Sequence, residues 1–336
     1  MKRDWATVAV IAAVLLAAVA HAGKQAMPYL YSEAYRSHNY ARASYCTAST
    51  LLNWSCGSIC NTIPGFKPYT TFYSSKYNTF GFAGVDTANQ QIVLAFRGSN
   101  SATNWLYSLT FLFREYNTSS SCGKGCQVHL GFYASYLSLQ SQVRAAVSEL
   151  VTKFPDYQVL VTGHSLGGVL AVHAAVDLQE QFNSMRKPGK PVALYTLGAP
   201  RVGNPTFARW TAQILARGPH YRITHCRDPV PHLPPMSFGF LHAPTEVFYR
   251  TRANNSMVIC NDSPVAESRK CSNNMLPISI MDHLKYFGES TDCSCDTCPG
   301  SRSIESQATM PKWLYARLIW EHLKSGGGMW STATLQ

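Results

Sequence analysis

In the run YQVLVTGHSLGGVLAVHAA, residues 157–175, a serine stands among glycines where an apolar, β-prone stretch gives way to an Ala/Val/Leu-rich one. A serine hydroxyl is a weak nucleophile until a base takes its proton, and it must stand clear of the backbone to reach a carbonyl. A sharp strand-to-helix turn provides that access when its neighbours lack bulk, as Gly163 and Gly167 do. Gly168 lets the following helix pack closely on the adjoining strand. The first helical N–H groups face the same point. The N–H of Leu166, next after the serine, is suited to stabilise an oxyanion. Ser165 is therefore the candidate nucleophile. The bare pattern G-x-S-x-G is common; its strand–turn–helix setting is what carries the reading.

The partners should follow in the order serine, acid, histidine. Histidines 173, 220, 225, 232, 242, 283 and 322 all lie downstream. His173 sits on the nucleophile helix away from its start, His220 and His225 belong to a strand, and His322 is in the tail. His283, in ISIMDHLKYFG, follows an apolar run and suits a loop at the C-terminal end of a strand. For the acid, Asp228 directly follows the strand-like HYRITHC, where ligands gather in such sheets. Glu246, Asp262 and Asp282 are its rivals; Asp282 adjoins the base and is expected to be solvated. His232, in DPVPHLPP, reads as a support for its proline-rich loop, His164 as a neighbour that packs or orients, and His129 as a brace for the strand preceding the oxyanion residue. This chemistry calls for no metal or cofactor.

Strands and helices must alternate to position these groups. QQIVLAFRG is a near-continuous apolar run, as in a strand buried on both faces, and TTFYSS and NTFGFAGVD precede it. Residues 25–50 and 131–154 have helical spacing, the latter through Tyr136, Leu139, Val143, Val147, Leu150, Val151 and Phe154 up to Pro155. The strand YQVLVTG, a helix at 166–182, the strand PVALYTLG, a helix at 205–216 and the strand HYRITHC follow. This order predicts an α/β fold, a mostly parallel sheet covered by helices. The stretch 228–244 reads as an active-site loop.

The chain has 336 residues, 46% hydrophobic and 14% charged, which suits one large α/β domain with a sizeable core. Lys2 and Arg3, the apolar run Ala6–Ala20 and the small residues at Ala20-His21-Ala22 read as a signal peptide cleaved near Ala22. A secreted or lumenal location follows, which the eleven cysteines fit. Cys56–Cys60, Cys122–Cys126 and Cys260–Cys271 are close enough in sequence to clip local loops. A bridge from Cys46 to Cys293 would tie the ends of the domain, leaving Cys295 with Cys298. So long a loop is worth about 4–5 kcal/mol in the chain-entropy treatment. Cys226 reads as a buried thiol, and a zinc site in CSCDTC is the weaker alternative. Asn53, Asn117, Asn254 and Asn261 head glycosylation sequons. The formal charge of +11 is scattered, which fits attraction to anionic surfaces such as lipid headgroups and not a nucleic-acid module.

From about residue 30 to 295 the chain resembles the class 3, fungal-type triacylglycerol lipases. The segments VLAFRGSNSATNWLYSL, VHLGFYASY, VTGHSLGG, TLGAPRVGN, RDPVPHLPP and DHLKYFG match that family in order. The resemblance implies the α/β-hydrolase fold, Ser165 as nucleophile, Asp228 as acid and His283 as base. It also implies Ser99 as second oxyanion donor beside Leu166, and an end-to-end cysteine bridge. NWLYSLTFLF, residues 104–113, follows Ser99 and reads as the core of a lid spanning about 100–118. Trp105, Leu106, Leu109 and Phe111 would meet lipid. The expected layout is a leader to residue 22, a hydrolase domain over 23–298 and a helical tail over 299–336. The expected activity is triacylglycerol hydrolysis at a lipid–water interface. A phospholipase A1 on the same scaffold, and a catalytically silent lipid-binding or adhesion protein, are the alternatives. The sequence leaves the oligomeric state open.

Overall fold

The computed structural model describes residues 28–101, 109–185, 190–251, 256–293 and 310–324. In chain order the principal strands are β1 (Phe66–Ser74), β2 (Thr79–Asp86), β3 (Gln91–Phe96), β4 (Phe113–Glu115), β5 (Gln127–His129), β6 (Gln158–His164), β7 (Ala193–Leu197), β8 (His220–His225), β9 (Glu246–Tyr249) and β10 (Met257–Ile259). The principal helices are α1 (Tyr31–Ala43), α2 (Ala48–Leu52), α3 (Ser58–Asn61), α4 (Leu130–Leu137), α5 (Gln140–Lys153), α6 (Leu166–Ser184), α7 (Pro205–Ile214), α8 (Ile280–His283) and α9 (Lys312–Lys324).

Eight strands form one sheet in the order β1-β2-β3-β6-β7-β8-β9-β10. The centre, β3 through β9, is parallel, and β1–β2, β2–β3 and β9–β10 pair antiparallel at the flanks. This is the α/β-hydrolase architecture expected from the alternation of elements. The apolar run in β3 is buried along its whole length because it serves two cores. Ile92, Leu94 and Phe96 face the side covered by α4–α7, while Val93 and Ala95 face α1, as side chains alternate across a strand. At about 25 cal/mol per Å², burying such large apolar side chains on both faces is the main driving force for assembly.

Two helical expectations need correction. The single helix over 131–154 is two, with the break at Ser138 and Leu139. The Ser138 hydroxyl bonds the Ser135 carbonyl at 2.7 Å, a local alternative to helix continuation, and fully buried Leu139 turns the corner into the core. Residues 25–50 likewise hold two helices, α1 and the start of α2, with Thr47 capping the second.

Four disulfides join Cys46 to Cys293, Cys56 to Cys60, Cys122 to Cys126 and Cys260 to Cys271, as expected. The first ties α1 to the end of the domain; nearby, Arg42 and Tyr35 on α1 hold the Glu289 carboxylate. The proposed Cys295–Cys298 pair, the leader, Asn254, Trp105 and Leu106 lie outside the described residues, as do residues 294–298 of the CSCDTC zinc alternative, whose first cysteine, Cys293, is joined to Cys46. Asn53, Asn117 and Asn261 are exposed. Cys226, expected to be buried, is half-buried, because it occupies the turn leaving β8 at φ 45° instead of the strand itself. Among the described residues no helix is long and apolar enough to cross a membrane.

Candidate active site

β6 ends at His164, and α6 begins at Leu166. Ser165 alone makes the turn, at φ 59° and ψ −129°. That backbone is strained for a side-chain-bearing residue and is held by its surroundings. The glycines explain how. A Cβ on Gly163 would come within 2.3 Å of the Gly167 carbonyl carbon, and one on Gly167 within 2.1 Å of the Phe96 oxygen. The elbow therefore closes only around hydrogen atoms. The Ser165 N–H donates to the Leu197 carbonyl at 2.9 Å, tying the turn to the end of β7.

One residue further along β7 the other two groups converge. His283 Nδ1 donates to Asp228 Oδ2 at 2.9 Å, with both side chains buried. The same oxygen accepts from the Tyr286 hydroxyl at 2.6 Å, and Oδ1 accepts from the Val230 N–H at 2.8 Å. Gly198, at φ 56°, lies directly against this cluster. A Cβ there would sit 2.9 Å from Asp228 Oδ2, 2.9 Å from the Tyr286 hydroxyl and 3.0 Å from His283 Nδ1. The Asp228 bond fixes the proton on Nδ1 and leaves Nε2 with a free lone pair. Burial and the Asp228 charge push the Tyr286 phenol well up, so it stays a donor.

His164 links the two halves. Its ring lies 4.5 Å from that of His283, centroid to centroid. Its Nε2 donates to the His283 carbonyl at 2.8 Å, and its Nδ1 accepts from the Tyr45 hydroxyl at 2.8 Å. Burial, then the neighbouring His283, hold its pKa well below the ordinary histidine range, so it acts as a neutral strut. His225 Nδ1 similarly donates to the Asp282 carbonyl at 3.0 Å, on the other side of the base.

Ser165 Oγ and His283 Nε2 are both buried, and each lacks a hydrogen-bond partner. The bond between them is not formed; hydrogen bonds of this kind are often long or misaligned until a substrate tightens them. Ser99 is half-buried just after Gly98, whose Cα leaves only 3.1 Å between an added Cβ and Ser165 Cβ. Leu166 is the first helical residue after the serine, with its N–H at the positive end of α6.

Other sequence candidates have different duties. Glu246 and Asp262 share the Arg222 guanidinium, at 3.1 and 2.7 Å. Asp282 is buried, contrary to the expectation of a solvated carboxylate, because its Oδ2 caps the Arg227 N–H at 3.1 Å. His232 is buried in its loop, where desolvation lowers its pKa to about 3, and its carbonyl accepts from Arg201. His129 does not brace the strand before Ser99. Its Nδ1 caps α4 through the Phe132 N–H and its Nε2 donates to the Thr110 carbonyl. It thereby anchors the far end of the expected lid. Leu130 N–H holds the Leu112 carbonyl at 2.8 Å, and β4 pairs with β5. From Thr110 onward the expected lid span of 100–118 is hydrogen-bonded to the body. Leu109 and Phe111 pack beside Val230, Leu233 and Ile280. Among the described residues, the cluster with metal-ligating atom spacing is Glu246, Cys260 and Cys271, and its sulfurs are joined to each other.

Sequence reasoning missed Tyr286, Tyr45 and Gly198 as parts of the site. Tyr286 stands three residues after His283 within DHLKYFG, which is a usable signal. Tyr45 has none, since its contact spans 119 residues.

Residues 93–238 match the family described as Lipase (class 3). A lipase of Rhizopus niveus is 37% identical over 249 residues, covering 74% of this chain and 61% of that protein. A secreted mono- and diacylglycerol lipase of Fusarium solani is 30% identical, over 80% of this chain and 79% of the relative. A solved structure titled as a serine protease triad forming the catalytic centre of a triacylglycerol lipase superposes with a TM-score of 0.70 at 35% identity, covering 78% of this chain and 96% of that one. The chain spans less than two thirds of the Rhizopus protein's length, yet covers most of the other two. With the serine elbow, the sheet order and these likenesses in agreement, the chain belongs to the class 3 lipase family.

Proposed function

We propose that this protein is a secreted serine carboxylic-ester hydrolase, a triacylglycerol lipase that works at a lipid–water interface through an acyl-enzyme. The observation that carries the reading is the buried Asp228–His283 pair with a free Nε2, packed against an elbow that presents an unpartnered Ser165 hydroxyl. Ser165 Oγ attacks the ester carbonyl as His283 Nε2 takes its proton. The carbonyl oxygen becomes an oxyanion held by the Leu166 N–H and by Ser99, and one such donor is typically worth about 3–4 kcal/mol. Collapse breaks the ester C–O bond, and His283 returns the proton to the leaving alkoxide. Water then repeats the sequence on the acyl-enzyme, releasing the fatty acid and restoring Ser165. Asp228 holds the Nδ1 tautomer throughout and steadies the imidazolium.

A nucleophile only 2% exposed needs an opening before a lipid can reach it. The lid read from the sequence after Ser99 would supply that opening, with its far end tied to the body at Thr110. The leader, the sequons and the disulfides support export.

Turnover of triolein, diolein, phosphatidylcholine and a soluble short ester tests the reading, with Ser165→Ala as control. The expected result is hydrolysis of acylglycerols rising above their solubility limit and abolished by the substitution. Faster hydrolysis of phosphatidylcholine than of any acylglycerol would move the assignment to the phospholipase alternative. Undiminished hydrolysis by Ser165→Ala would overturn it.

A further inference from the structure

Helix α9 is amphipathic in an unusual sense. Its inward face is aliphatic: Leu314 and Leu318 pack on Val230 and Leu233, just after Asp228, and on Ile280, which opens the helix carrying His283. Its outward face is aromatic and basic. Trp313, Tyr315, Trp320 and Leu323 are 52%, 40%, 45% and 44% exposed, far more than packing alone requires of such side chains. Lys312 and Lys324 stand in solvent at the two ends of the helix. The Arg317 guanidinium lies 4.4 Å from the Trp320 ring centroid and 4.9 Å from that of Phe238, and the Lys324 ammonium 4.6 Å from Trp320. Phe238 is 44% exposed and touches Phe111, which in turn touches Trp313. The patch therefore continues from the helix onto the loop behind Asp228 and the anchored end of the lid.

We propose that this outward face of α9, with the Phe238 rim, is a docking surface for an anionic lipid–water interface. It seats the lid side of the site on its substrate phase. The proposal rests on the reading of the chain as an interfacial esterase. Tryptophan and tyrosine interleaved with lysine and arginine suit the headgroup zone, where rings sit at the acyl boundary and cations meet phosphate. Protein–protein cores, by contrast, are depleted in lysine. The charge matches: three cations on the helix face one carboxylate, Glu321, which already pairs with Arg317 at 2.9 Å. With 13 residues the helix is too short to span a bilayer, so it lies on the surface.

The test uses the full chain. Vesicle partition is measured in a Ser165→Ala background so that no lipid is consumed, on vesicles of phosphatidylcholine alone and of phosphatidylcholine with phosphatidylglycerol. Soluble-ester turnover of the same surface variants is measured with Ser165 intact. Trp313→Ala with Trp320→Ala should lower partition to both vesicle types by at least about tenfold. Lys312→Glu with Lys324→Glu should lower partition to the anionic vesicles by about tenfold or more and leave neutral vesicles nearly unaffected. Both pairs should keep soluble-ester kcat/KM within about twofold, which also certifies the fold. Parental vesicle binding in both variants overturns the proposal while leaving the esterase reading intact. So does a parent protein that dimerises through this face and ignores vesicles. Loss of soluble-ester activity in the parent itself would instead remove the reading beneath it.

Discussion

Two buried hydrogen-bonded pairs, Arg201 with Glu267 and Asp228 with His283, are built to opposite ends. Arg201 and Glu267 form a bidentate pair, with both bonds at 2.7 Å. The remaining guanidinium donor goes to the His232 and Pro234 carbonyls, and Glu267 also accepts from the His242 N–H and the Asn273 amide. The pair is closed, and its surroundings hold Glu267 well below the usual carboxylate range: burial works against this, and the Arg201 charge overcomes it. Asp228 and His283 are equally buried, but the chain of bonds stops at Nε2, opposite a serine hydroxyl that is also unpartnered. Leaving buried polar atoms open costs about 1–3 kcal/mol each. A structural pair removes that cost by completing its bonds. A site that must accept a substrate retains it. Between these two pairs, completeness of hydrogen bonding is the difference.

The sharpest way to break this comparison is at the open end. Ser165→Ala should lower kcat by about 10⁴–10⁶-fold and leave the denaturation midpoint equal or higher, since it removes a buried hydroxyl that bonds nothing. A large loss of stability would mean that the hydroxyl is structural. At the closed end the outcome should invert. Arg201→Met strands Glu267 and should cost about 3–5 kcal/mol of stability by urea titration, with kcat of the folded fraction within a few-fold of the parent. A variant as stable as the parent would refute the closed-network description.

Tyr286→Phe tests the boundary between the two, since it removes one donor to Asp228 without touching Ser165. A hydrogen bond to a charged group is worth about 1.5–3 kcal/mol, so kcat should fall roughly 10- to 100-fold with KM nearly constant. Unchanged kcat would mean that the phenol only fills space.

The smallest effect concerns a histidine in neither class. His173 is fully buried among Tyr116, Tyr133, Tyr136 and Phe207, and both ring nitrogens are unpartnered. Burial lowers its pKa from 6.5 to about 3. Below pH 6.5 the unfolded chain binds a proton that the folded one refuses. Its contribution to stability is therefore complete above that pH and drains away as pH falls toward 3, by about 2 kcal/mol at pH 5. His173→Phe should flatten this acid limb and leave stability at pH 8 equal or slightly higher. An unaltered acid limb would place its origin elsewhere, among His129, His232 and their neighbours.

The elbow was legible because its cause is local. Gly163, Gly167 and Gly168 are dictated by atoms within one turn, and the apolar runs of β3 and β6 announce strands buried on both faces. The disulfides were legible from spacing and from where the chain ends must meet. Asp228 and His283 could be proposed from their positions after a strand and an apolar run, and the resemblance selected them among their rivals. The remainder depends on contacts distant in sequence. Nothing near Arg201 points to Glu267, 66 residues on. Nothing near His129 indicates that its ring turns to Thr110, at the end of the expected lid. Asp282 reads as a solvated carboxylate in the sequence, because its use as a cap for the Arg227 N–H appears only once α8 docks beside β8.

The most direct test is a crystal structure after reaction with an alkyl phosphonate that mimics the tetrahedral intermediate. The account predicts phosphorus bonded to Ser165 Oγ, a phosphoryl oxygen on the Leu166 N–H and Ser99, and His283 Nε2 within about 3 Å of the oxygen in the leaving position. An adduct on another side chain would contradict it. So would one on Ser165 with no histidine nitrogen within reach of the leaving position.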